Sequence, residues 1–165
     1  MQFSRRRFLW GSLIVGCASL VGRLRGQSVS SDDLTSCLQA WVETLVPTDA
    51  LSAGAGSLMI HLKVIEKADG NTQYRRLLEL GVIWANAAAK RHGATSFAAL
   101  KPEQAEAVVA EAEASGLNAV TGLFFYHTLR DTKFYYYLDA ASWPGVGFPH
   151  TPQPMGFMDF TEAPK

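Results

Sequence analysis

Residues 30–47 read Ser-Ser-Asp-Asp-Leu-Thr-Ser-Cys-Leu-Gln-Ala-Trp-Val-Glu-Thr-Leu-Val-Pro. Leu34, Leu38, Trp41 and Leu45 recur at spacings of four, three and four, which is one apolar stripe on a helix. Ser30 and Ser31 offer N-cap oxygens, and Asp32 and Asp33 place negative charge at the positive end of the helix dipole. Pro47 ends the element. A helix that must bury such a stripe needs partners with a matching period in the neighbouring segments.

They supply it. Thr48 to Ser57 is a loop carrying Gly54 and Gly56. A second helix is expected from Leu58 to about Ala68, with Leu58, Leu62 and Ile65 inward, stopped by Asp69-Gly70-Asn71. A third runs from about Thr72 to Arg91, with Tyr74, Leu77, Leu78, Gly81, Trp84, Ala85 and Ala88 on one face, before His92-Gly93. Phe97 and Leu100 make a short apolar link. Pro102 suits the first turn of a fourth helix, which turns Ala105, Val108, Val109 and Ala112 inward. After Gly116 a fifth helix is expected over about 117–130, with Leu117, Val120, Leu123, Phe124 and His127 inward. Phe134-Tyr135-Tyr136-Tyr137 shows no helical period. Residues 143–157 hold four prolines and three glycines, which argue against regular helix and against a central strand. The expected fold is mostly α: a small bundle of about five helices over 27–138 and a long irregular tail, rich in aromatics, Pro and Gly, over 139–165.

Residues 1–26 have a different character. Ser4-Arg5-Arg6-Arg7-Phe8-Leu9 opens an apolar stretch that continues to Val21. Arg5, Arg6, Phe8 and Leu9 match the twin-arginine export address, which a receptor reads. As a helix, Phe8 to Val21 would span about 21 Å, against roughly 30 Å for a bilayer core. It therefore reads as a signal core, the alternative being a basic arm beside a short buried helix. Ile14-Val15-Gly16-Cys17 also resembles a lipoprotein cleavage box, so lipidation at Cys17 is a second way of processing. The expected location is the periplasm, with attachment to the membrane through a complex, an uncleaved signal or a lipid as alternatives.

Charge narrows the partners. Of the 15 basic residues, Arg5, Arg6, Arg7, Arg23 and Arg25 precede position 26, and all 15 acidic ones follow it. The remainder carries ten against fifteen, a formal charge of −5. Nucleic acid is excluded as an expected partner, because phosphate binding needs a basic surface. With two cysteines, Cys17 and Cys37, no disulfide framework is expected.

Little in the body points to chemistry. His61, His92, His127 and His150 are isolated, without ligand spacing. Gly54-Ala55-Gly56 follows a proline turn rather than a strand, so it is not a dinucleotide loop. His127 and Asp131 lie four apart, as an acid–base pair could, and a hydrogen-bonded helix pair is the plainer reading. No catalytic, cofactor-binding or metal-binding residue is assigned. The apolar groups of the tail, with the tyrosine cluster, are better read as contact groups: Phe134, Tyr135, Trp143, Phe148, Pro149, Met155 and Phe157. They would pack on this domain or on a partner, where aromatic and Met side chains are enriched.

Several stretches together resemble one family. Trp41-Val42-Glu43-Thr44-Leu45-Val46-Pro47-Thr48-Asp49 with Ser52-Ala53-Gly54-Ala55-Gly56 resembles the opening block of the gluconate 2-dehydrogenase subunit 3 family. Phe97, Leu100 and Pro102-Glu103-Gln104 resemble its middle. Phe124-Phe125, Leu129-Arg130, Thr132 and Phe134-Tyr135 resemble its closing helix. Trp143, Gly147-Phe148-Pro149, Pro154 and Gly156-Phe157 resemble its tail. The family's Gly-Gly-Asn-like link is shortened here to Leu138-Asp139-Ala140-Ala141-Ser142. The resemblance implies a cofactor-free accessory subunit of a periplasmic or membrane-associated sugar or sugar-acid dehydrogenase, which carries the export signal for its partner and stabilises it. FAD is expected on a large partner of the glucose–methanol–choline oxidoreductase type, and haem c on a cytochrome that accepts the electrons. A free-standing exported enzyme using His127 and Asp131, and a binding protein lipidated at Cys17, are the rival readings.

Overall fold

The computed structural model describes residues 29–148. Among them are five α-helices and no strand: α1 (Ser31–Leu45), α2 (Ile60–Asp69), α3 (Thr72–Arg91), α4 (Pro102–Ala114) and α5 (Val120–Leu138). Two 3₁₀ helices, Phe97–Ala99 and Ala140–Val146, complete the order. The mostly α bundle expected from the sequence is what forms. No helix among the described residues is long and apolar enough to cross a membrane.

Local signals place the ends. Ser30 Oγ accepts from Asp33 N–H at 3.0 Å and starts α1. Asn71 Oδ1 accepts from Tyr74 N–H at 3.0 Å and starts α3. Pro102 occupies the first turn of α4, where its missing N–H costs nothing, and Gln104 Oε1 accepts from Lys101 N–H. Each satisfies a donor that the helix would otherwise leave unpaired.

The core is organised around Trp41, which is fully buried on α1. Its ring meets Trp84 of α3 edge-on at 6.5 Å, and the rings of Phe97 and Phe124 at 5.2 and 4.7 Å. Its indole Nε1 donates to Thr128 Oγ1 at 2.9 Å, and that hydroxyl donates onward to the Phe124 carbonyl at 2.7 Å. Asn86 Oδ1 of α3 accepts from Phe97 N–H at 2.9 Å and fixes the 3₁₀ turn that presents Phe97. Leu34, Leu38, Leu78, Val82 and Val108 close the rest of the core.

Two helices differ from the sequence expectation. In α2 the buried residues are Ile60, His61, Val64 and Ala68, not Leu58, Leu62 and Ile65. Leu62 is exposed, and Leu58 and Ile65 are half-buried. Met59 takes φ +55°, a left-handed conformation, so the helix starts after it rather than at Leu58. A polar His61 and a small Ala68 on the inner face hide the true stripe.

The second difference is larger. α5 runs on to Leu138, so Phe134 to Tyr137 are helical and not irregular. Its buried residues are Gly122, Phe124, Thr128, Asp131, Thr132 and Tyr136. Three of these are polar, and a hydrophobic period therefore fades just where the helix is most buried. Leu117 and Val120, expected inside, are exposed. The chain after α5 also keeps one regular piece, the 3₁₀ helix with Pro144 inside it, where irregular tail was expected.

Gly81 lets α3 approach α5: a Cβ there would overlap the buried Phe124 ring. Replacing Gly81 by Leu is expected to cost about 3 kcal/mol by overpacking. Ala87→Leu, at an exposed position of the same helix, is expected to be near neutral. Urea unfolding of the two variants distinguishes these outcomes.

Candidate functional site

The loop after α1 is built around one carboxylate. Glu43 Oε1 accepts from the Thr48 N–H at 3.0 Å and from the Thr48 hydroxyl at 2.8 Å. Glu43 Oε2 accepts from the Gly56 N–H at 2.8 Å and the Ser57 N–H at 3.2 Å. The Thr48 hydroxyl in turn accepts from Gly54 N–H at 2.8 Å. A Cβ added at Gly54 or Gly56 would overlap the Glu43 side chain, and at Gly56 it would also lie only 2.9 Å from the Gln39 carbonyl oxygen. Downstream of Pro47, Asp49 Oδ1 accepts from the N–H groups of Leu51 and Ser52, both at 2.7 Å. The two backbone bonds, with that from the Ser52 hydroxyl, outweigh the opposing desolvation and hold its carboxyl below its ordinary value.

The far end of α5 closes over this loop. The Tyr136 hydroxyl donates to the Ala53 carbonyl at 3.0 Å and lies 3.0 Å from Ser52 Oγ. Sequence reasoning does not single out Glu43 or Ser52 as functional positions. The signal that could find them is a glutamate four residues before a Pro-Thr-Asp turn that leads into two glycines. Such a pattern asks which side chain occupies the space that the glycines leave.

A second polar cluster ties α2 to α5. Asp131 is buried and accepts from Lys67 Nζ and from Arg130 Nε, both at 2.9 Å. Burial pushes its carboxyl up, and the bonds from Lys67 and Arg130 outweigh that and hold it below the ordinary value. Tyr74 is pushed far up by burial and by the Asp131 charge. No hydrogen bond joins His127 to Asp131, so the expected helix pair does not form. The His127 ring instead packs against Tyr74 at 5.9 Å. Burial, then the neighbouring Arg130 charge, lowers its pKa. His61 is buried and lowered by desolvation, and His92 is exposed. Cys37 is buried in the core, and burial, with the Asp33 charge, pushes its thiol up to about 12. No group of three or more His, Cys, Asp or Glu suited to a metal ion occurs among the described residues.

The remaining candidates lie around the end of α5. Phe134 is 59 % exposed and Phe148 57 % exposed, both unusual for phenylalanine in a folded chain. Tyr135 is half-buried. Trp143 is half-buried, and its indole N–H donates to the Tyr137 carbonyl at 3.0 Å. Tyr135 and Leu138 form one wall of a groove of 560 Å³ whose other wall is Leu58, Met59 and Leu62 of the α2 region. Arg5, Arg6, Phe8, Leu9 and Cys17, and likewise Pro149, His150, Met155 and Phe157, lie outside the described residues.

The block from Trp41 to Gly56 is thus a structural unit in which a core tryptophan and a loop-holding carboxylate alternate on one helix. Residues 32–149 match the family model described as gluconate 2-dehydrogenase subunit 3. The chain belongs to the gluconate 2-dehydrogenase subunit 3 family. No curated protein matches it, and no solved structure does. The family name denotes one subunit of a multi-subunit dehydrogenase complex. In this member of the subunit 3 family, the motif residues Trp41, Glu43, Asp49, Gly54 and Gly56 serve packing and hydrogen bonding.

Two substitutions test these roles. Glu43→Gln puts an amide where donors converge, and is expected to lower stability by about 1.5–3 kcal/mol, the worth of hydrogen bonds to a charged group. Urea unfolding checks it, and a neutral result would remove the loop-holding role. Asp131→Asn is expected to destabilise at neutral pH. Because the folded carboxyl sits below its unfolded value of about 3.9, its contribution is complete above that pH and is lost as the pH falls through the folded value. The gap between wild type and Asp131→Asn is therefore full above about pH 4 and narrows as the pH falls below that, as urea unfolding at pH 7 and pH 3 would read.

Proposed function

We propose that this chain is the non-catalytic small subunit of a periplasmic or membrane-associated, FAD-dependent sugar or sugar-acid dehydrogenase of the gluconate 2-dehydrogenase kind. It lends its twin-arginine signal to a large flavin-bearing partner and stabilises that partner during maturation and export. The observation that carries the reading is the family match over residues 32–149 in a chain that opens with Arg5-Arg6-Arg7-Phe8-Leu9.

Two features of the body support it. The most distinctive polar residues, Glu43, Asp49 and Asp131, are committed to hydrogen bonds that hold backbone and helices together. Large apolar side chains stand exposed along α5 and beyond it: Phe134, Tyr137, Leu138, Val146 and Phe148. An apolar patch of this kind is a signature of association with another chain. Hydride transfer would belong to the flavin of the partner, while this subunit supplies contact surface and the address. A cytochrome c subunit would take the electrons.

Changing Arg5 and Arg6 together to Lys tests the reading in the producing cell. The expected outcome is a flavin-bearing dehydrogenase subunit stranded in the cytoplasm, with periplasmic or membrane dehydrogenase activity lost. Unchanged export of that subunit would overturn the shared-signal function.

A further inference from the structure

Two cations share one buried carboxylate where α2, α3 and α5 meet. Lys67 Nζ and Arg130 Nε both donate to the same atom, Asp131 Oδ1, at 2.9 Å. One positive charge is left in excess. Both Nη groups of Arg130 and the other N–H bonds of Lys67 have no partner among the described residues. The Lys67 side chain is 40 % exposed and that of Arg130 50 %, so these donors are open to a ligand. Asp131 Oδ2 and the Tyr74 hydroxyl are buried beside them and also lack partners. A polar network left incomplete in this way points to a group supplied from outside the fold.

The same two cations stand on the wall of a cavity of about 390 Å³, a size within the range of small-molecule sites. Asn71 and Gln73, at the start of α3, add their side-chain amides to that wall. Asn71 Oδ1 is taken by the Tyr74 N–H, while Asn71 Nδ2 and the Gln73 amide have no partner among the described residues. No acidic residue lines the cavity, although the chain after position 26 is acidic as a whole. Leu77 and Leu123 complete the wall with the rings of Tyr74 and His127, whose centroids are 5.9 Å apart. Lys67 Nζ lies 6.0 Å from the Tyr74 ring centroid, so charge and apolar surface stand side by side. Convergent donors favour an anion, and the planar guanidinium fork matches the two oxygens of a carboxylate. The leucines and rings favour an apolar body on that anion.

We propose that the cavity between α2, α3 and α5 binds a small organic carboxylate. Its oxygens are held by Lys67 and Arg130, and its apolar body lies against Leu77, Leu123 and the rings of Tyr74 and His127. The site is made by this chain's own residues and stands whether or not the dehydrogenase reading holds.

Benzoate is the probe for the test. Benzamide is its uncharged counterpart, and inorganic phosphate is an anion without an apolar body. The purified full chain is titrated with each while the side-chain NMR signals of His127 and Arg130 are followed. Benzoate is expected to shift both signals saturably, and benzamide and phosphate are expected to bind about tenfold more weakly. Gln73→Glu puts a negative charge on the cavity wall at an exposed position. In the first turn of α3 that charge suits the helix dipole, so the fold is retained, and benzoate binding is expected to weaken about tenfold. Ala87→Glu makes the same kind of charge change at an exposed position of the same helix. It lies about 21 Å further along, well beyond the roughly 8 Å screening length at physiological salt, and is expected to leave binding unchanged. No saturable shift with benzoate, equal binding of benzamide or of phosphate, or equal weakening by the two variants would each overturn the proposal.

Discussion

The indole of Trp41 has to satisfy two demands at once. Its ring is the largest buried group on α1, and its N–H must find an acceptor, because a buried polar group left unpaired costs more than the packing around it can spare. The protein meets both with α5. Phe124 supplies a ring face, and Thr128, one turn later, supplies the oxygen. Trp84 from α3 and Phe97 from the 3₁₀ turn fill the remaining sides. One side chain therefore fixes the relative placement of α1, α3, α5 and the turn before α4. The close approach at Gly81 follows from it, since Phe124 can reach Trp41 only where α3 presents no Cβ.

The same helix carries a second anchor on another face. Two residues after Trp41, Glu43 gathers four donors from a loop that has no regular secondary structure to satisfy them. A buried or half-buried loop backbone needs such partners. Tyr136 then binds the loop to the far end of α5. The family's opening block is therefore one cooperative unit joining α1, the loop and α5. Its polar residues act on the backbone of the loop.

The outside of the molecule is arranged differently from its core. The buried Asp131 carboxylate, paired with Lys67 and Arg130, holds α2 against α5, and beside it the end of α5 turns aromatic side chains outward. The molecule combines a latched frame with an exposed apolar edge. The polar latches supply the first without adding apolar area to the surface, and Phe134, Tyr137 and Leu138 supply the second.

Much of this architecture is legible in the order of residues. The 3.6-residue period locates α1, α3 and α4, and the cap at Ser30 and Pro102 in the first turn of α4 act where their chemistry suggests, while Asn71, read in the sequence only as a breaker, also caps α3. That information is local: a stripe, a cap and a breaker each work within one or two turns. The inner faces of α2 and α5 are not legible in the same way, because His61, Thr128, Asp131 and Thr132 are buried among segments distant in the chain. A polar residue reads as solvated until its acceptor or counter-ion is known. Nor can a sequence show that Glu43 fills the space left by Gly54 and Gly56. By itself, then, the sequence determined the helical class, most helix ends and the family. Only the tertiary structure decided which polar groups are interior, how the loop is held and where the apolar edge lies, because those outcomes depend on contacts between segments far apart along the chain.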